Sequence, residues 1–133
     1  TYLACSNGIT IVIRVPSRVK KVGIRFLRQR GKSKKNATLL LFAVCVFLLL
    51  EETLPEISQI VLDNEYDGQQ ANLKAFLLRL IWRSNEHFPP ENLRIDSVGK
   101  KSPAHDAAWA AFRGQRRPDR TLTGADILRV LGR

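Results

Sequence analysis

Residues 37–50, ATLLLFAVCVFLLL, are fourteen consecutive positions with no charge and a single hydroxyl. A helix that is apolar on every side cannot rest on a surface, so it has to be wrapped by other elements of the chain or by lipid. A membrane-spanning helix needs about 20 apolar residues, and this run stops short at Glu51 and Glu52. A signal peptide would stand nearer the start and be followed by small residues. The expected structure is a helix buried inside the domain, capped by Asn36 and finished before Pro55. The competing expectation is a membrane-associated basic protein, anchored by residues 37–50 with its basic flank on the cytoplasmic side.

Wrapping such a helix takes a domain's worth of chain, and 133 residues suffice for one core without disulfides or metals. TYLAC and ITIVIRV, broken by SNG, read as a β-hairpin. After Pro16, VKKVGIRFLRQR alternates loosely between apolar and basic residues, as a third strand with one wet face would. IVLD, residues 60–63, reads as a short strand covered on both faces. Asp67 with Gln70 gives a capping-box-like start, after which Leu73, Phe76, Leu77, Leu80 and Ile81 repeat at helical spacing up to Ser84 or Asn85. FPPEN connects to LRIDSV, a fifth strand. Ser102 and Pro103 open a helix carrying an Ala104, Ala107, Ala108, Ala111, Phe112 stripe. GQRRPDR is a linker, and Thr123 with Asp126 starts a short last helix. The expected organisation is a single α/β domain over 1–133, its core about 1–113, with 114–133 as linker and short C-terminal helix. Trp82 and Trp109, beside apolar neighbours on helices, read as core or interface packing. Tyr66, just past a strand end, is a better ligand contact.

Charge is distributed unevenly along this order. The net charge is +10, and residues 1–50 hold ten Lys or Arg with no Asp or Glu, whereas residues 51–133 hold twelve of each sign. Cations facing phosphates release condensed counterions and gain affinity without reading sequence, so a polyanion is the expected partner and nucleic acid the leading one. Lys20, Lys21 and Arg25 are its expected contacts in the basic first half. GKKS, residues 99–102, adds a sharper signal: Lys100, Lys101 and the Ser102 hydroxyl stand just before a helix amino terminus, whose free amides favour phosphate. The first glycine of a P-loop and its spacing are missing.

Cys5 and Cys45 lack the spacing of a zinc site or redox pair and read as buried thiols in a reducing, cytoplasmic setting. No methionine occurs, even at position 1, as in an excerpt or a processed chain.

Two stretches carry a family resemblance. IVLDNEY is similar to the fourth strand of the ribonuclease H-like superfamily, which ends in an acid, and VGKKSPAHDAAW to its last strand, basic loop and helix. The resemblance covers residues 1 to about 113 and implies a mixed five-stranded sheet flanked by helices, in the order βββαβαβα plus the short C-terminal helix. It further implies a nuclease site in which Asp63 and Asp106 hold magnesium or manganese. His105 would assist proton transfer, and Glu65 is a further catalytic carboxylate. Two such ions clamp the attacking and leaving oxygens of a phosphodiester and need several convergent hard oxygen ligands. The chain departs from the family in two places: Cys5, Ser6 and Asn7 stand where the first-strand acid belongs, and Leu39, Leu40 and Leu41 where the first helix carries a glutamate. Glu65 and Asp67 are the nearest substitutes. The alternatives are a catalytically inactive nucleic-acid-binding module and a subunit of a larger assembly or oligomer.

Overall fold

The structure, a computed structural model, describes residues 2–7, 9–63, 66–96 and 103–132. The leucine-rich run forms most of helix α2, Lys34–Leu50, in which Ala37, Leu39, Leu41 and every residue from Ala43 to Leu50 are buried. Its cover comes from all over the chain: the hairpin of β1 (Tyr2–Asn7) and β2 (Ile9–Arg14), then α1 (Ser17–Gln29), α3 (Gln70–Ser84) and α5 (Gly124–Leu131). Among the described residues no helix is long and apolar enough to cross a membrane. The run is satisfied by protein.

The helix begins earlier than expected. Ser33, not Asn36, is the N-cap: its hydroxyl accepts from the Asn36 amide at 3.1 Å, satisfying one of the free donors of the first turn.

Residues 19–30, expected as a third strand, are helical instead up to Gln29, with Arg30 as the C-cap. Val19, Gly23 and Leu27 recur every four residues and bury one stripe of α1, while the cations fall on the opposite side. Gly23 marks the crossing. A Cβ added there would stand 2.6 Å from Leu41 Cδ1 of α2 and 3.1 Å from Ile127 Cγ2 of α5, so the bare backbone lets three helices approach. α1 ends in a Schellman motif: the Lys32 amide donates to the Leu27 carbonyl and the Gly31 amide to that of Arg28, both at 3.1 Å, with Gly31 at a φ of 87° that a side chain would strain.

The described strands form two sheets, of three and two strands, and the five-stranded order βββαβαβα is not what they build. The third strand of the first sheet is β5, Arg120–Thr121, parallel to β2 and drawn from the segment expected as a linker. Asp119 extends the pairing, since its carboxylate accepts from the Val12 amide at 2.7 Å while its own amide donates to the Val12 carbonyl at 2.7 Å. The second sheet pairs β3 (Ile60–Asp63) with β4 (Leu93–Asp96) in parallel, β4 following a 3₁₀ turn over Pro90–Asn92. Ile60 and Leu93 face the core, but Val61 on the other face is 50% exposed, so this pair is covered on one side only.

α3 spans the expected residues, although Gln69 takes the N-cap position without a side-chain capping bond, in place of the expected Asp67 box. α4 (Pro103–Phe112) lies on the hairpin through Ala107 and Ala111, which pack with Val12 and Ala4. α5 carries the expected capping box of Thr123 and Asp126. It is integral to the core: Leu122, Ile127 and Val130 join the residues of α1, α2 and α3 in one cluster. Arg129 grips Glu51 through two bonds of 2.9 Å, and Arg83 Nη1 of α3 donates to the Val130 carbonyl at 2.8 Å.

Candidate nucleic-acid interface

The solvent side of α1 collects Arg18, Lys21, Arg25 and Arg28, all exposed. Steps of three, four and three residues place them in one row, about 15 Å long at 1.5 Å per residue. Among the described residues none of the four takes part in an ion pair, and neither α1 nor α2 has an acid in its first turn. Beyond the Gly31 turn the exposed Lys32, Lys34 and Lys35 continue the charge to the amino end of α2. Arg30 lies over the Phe26 ring, 4.3 Å from its centroid, which anchors the end of the row by a cation–π contact. Of the expected contacts, Lys21 and Arg25 lie in this row, whereas Lys20 is half-buried at its flank. Lys100, Lys101 and Ser102 lie outside the described residues.

At the start of α2, Lys34, Lys35 and Thr38 line an open groove with Tyr66, Asp67 and Gln69. Tyr66 stands where a ligand contact was expected, its ring packed on Phe42 with centroids 5.1 Å apart.

The acidic residues are arranged differently. Asp63 closes β3 directly opposite Asp96 of β4, a neighbour that the sequence alone did not single out. Both side chains are exposed, and Arg94 on the same face holds Asp96 Oδ2 at 2.7 Å. Asp106 lies in the exposed first turn of α4, a helix that rests on the first sheet, whereas Asp63 belongs to the second. Glu65 and the side chain of His105 lie outside the described residues. Among the described residues, the two exposed carboxylates, one already bridged by an arginine, are fewer than the several hard ligands that a pair of magnesium or manganese ions takes. No group of three or more His, Cys, Asp or Glu suited to a metal ion occurs among the described residues.

The expected buried thiols are free, Cys45 fully buried and Cys5 partly so. Burial pushes the Cys45 thiol up to about 12 against the pull of Lys20. Burial also raises Cys5, with the Ile11 backbone opposing and Asp119 reinforcing the rise. Neither thiol is poised as a nucleophile.

α4 departs most from expectation. Burying the alanine stripe turns Trp109 and Phe112 outward, 54% and 65% exposed, with ring centroids 5.7 Å apart and planes 25° from parallel. Trp82, 39% exposed, is tied by its indole N–H to the Phe88 carbonyl at 2.9 Å.

No family model, curated protein or solved structure matches the chain.

Proposed function

We propose that this domain binds nucleic acid by holding phosphates along the solvent face of α1 and the lysines that follow it. The observation that carries the reading is the row of Arg18, Lys21, Arg25 and Arg28, exposed and without acidic partners. Like charges three and four residues apart cost a helix about 0.2–0.5 kcal/mol per pair, a repulsion that a polyanion relieves. The row offers charge without a base-reading groove, so it favours contact with the backbone over sequence discrimination.

Replacing Arg18, Lys21, Arg25 and Arg28 together by Gln tests this. Each lost phosphate contact lowers the slope of log affinity against log salt by about 0.7 for single strands and about 0.9 for duplex. The expected outcome is a slope shallower by about 3 with the fold intact by circular dichroism. An unchanged slope and affinity would remove the interface.

A hydrolytic version of this reading is a ribonuclease H-like domain in which magnesium or manganese, held by Asp63 and Asp106, cleaves the bound strand. What favours it is the alignment of Asp63 with Asp96 at the carboxyl ends of parallel strands, the end at which open α/β sheets place their sites. Asp63→Asn should then abolish metal-dependent cleavage and leave affinity intact. Equal turnover in that variant would dismiss the version.

A further inference from the structure

The outward face of α4 carries a chemistry that phosphate contacts do not use. Trp109, Phe112 and Arg113 follow one another at helical spacing, on the side opposite to the Ala107 and Ala111 that pack on the hairpin. Both residues are more than half exposed, and their rings are stacked. The Arg113 guanidinium lies loosely over the indole ring, 5.9 Å from its centroid, and a stacking base would take its place there while the guanidinium turns to the flanking phosphate. Past the helix, the Gln115 amide donates to the Ala110 carbonyl at 2.8 Å and the Gly114 amide to that of Ala111 at 3.1 Å. With Gly114 at a φ of 75°, this turn carries the chain into Arg116 and Arg117. Arg113 and Arg117 are exposed and engaged by no described carboxylate, while Arg116 sits 3.7 Å from Asp119. Asp106, exposed, lies in the first turn of the same helix.

We infer that Trp109, with Phe112 behind it, is a stacking platform for an unpaired base of a single-stranded nucleic acid, whose flanking phosphates are met by Arg113 and Arg117. The inference rests on the phosphate-binding reading and narrows its substrate to strands with accessible base faces. A solvated aromatic pair edged by guanidiniums that no described carboxylate engages matches a ligand that alternates flat apolar rings with anions. A purely apolar partner would leave the arginines unmatched, and a duplex hides its base faces.

The test uses the full chain carrying Trp82→Phe, which leaves Trp109 as the sole indole. It is titrated with a short oligothymidylate, a duplex of the same length, and inorganic polyphosphate as an anion without bases. Oligothymidylate should quench the emission and bind more tightly than the duplex, and polyphosphate should bind without quenching. In the otherwise wild-type chain, Trp109→Ala should weaken oligothymidylate binding roughly ten- to a hundred-fold at an unchanged salt slope and unchanged polyphosphate affinity, with Trp109→Phe recovering most of the loss. If polyphosphate binds and Trp109→Ala matches the wild type on oligothymidylate, the platform is overturned while the phosphate reading stands. If neither anion binds at low salt, the phosphate reading fails and takes the platform with it. A wild-type dimer that Trp109→Ala converts to a monomer in sedimentation would assign the face to a second copy of the chain and overturn the inference.

Discussion

Helices α1 and α2 are consecutive, packed against each other and opposite in what they ask of their surroundings. α2 is apolar on nearly every side, and its place in the molecule follows from that alone. α1 buries a narrow stripe of Val19, Gly23 and Leu27, packs Ile24 and Phe26 partly against the core, and gives most of its solvent face to cations. The difference teaches that the two helices answer to different demands: residues on α2 hold the fold, whereas the exposed cations of α1 contribute little to the core, as the proposed phosphate contact requires.

The sharpest way to break this division is to cut into α2. Leu39→Ala, at a position 2% exposed, should cost about 2–5 kcal/mol, read by denaturant unfolding, and an unperturbed midpoint would mean that α2 is not the centre of the core. Next comes the crossing itself. Gly23→Val puts branched carbons where a single Cβ already meets Leu41 and Ile127, and should destabilise by about 1–3 kcal/mol, with α1 displaced and the Trp emission altered little.

The third helix of the crossing sharpens the comparison through its cap. Burial is the largest single influence on Asp126 and raises its pKa, yet the Thr123 amide, the Thr123 hydroxyl and Arg120 together outweigh it and hold the carboxyl below its ordinary value. Because the folded value is the lower one, its stabilisation is present above the unfolded value of 3.8 and is lost as pH falls through the folded value. Thr123→Ala should cost about 1 kcal/mol at neutral pH. Asp126→Asn should flatten the decline of stability below about pH 4, and a decline as steep as the wild type's would show that the cap does not titrate with folding.

The smallest effect belongs to α1's outer face. Arg25→Glu removes repulsion with Lys21 and Arg28 and should leave stability unchanged or raised by a few tenths of a kcal/mol, while lowering polyanion affinity. A loss of stability above 1 kcal/mol there would dissolve the distinction between the two helices.

How far these features were legible varied with the signal each leaves in sequence. α2 declared itself by having no polar side, α3 by its leucine spacing, and α5 by a cap whose hydroxyl and carboxylate stand three residues apart. α1 did not, because Val22, Ile24 and Phe26 alternate with Gly23 and Arg25 over just enough residues to imitate a strand. The longer register of Val19, Gly23 and Leu27 was there, but glycine carries no apolar mark. β5 left no trace, since two residues pair through backbone alone. For Trp109, read as core or interface packing, the core half fails for a different reason: its apolar neighbours suggested burial, yet it stands two residues from Ala107, about 200° around the helix, and the alanine stripe alone turned it outward. The Asp63 and Asp96 pairing depended on a register that no local pattern encodes.

α2 is finished by residue 50, but the helix that completes its jacket begins at Gly124, more than seventy positions later. A ribosome therefore releases the greasiest cylinder of the molecule long before its last cover has been synthesised. Throughout that interval the nascent chain is at its most exposed to aggregation, and shielding by a holding chaperone would matter more during translation than at any later time.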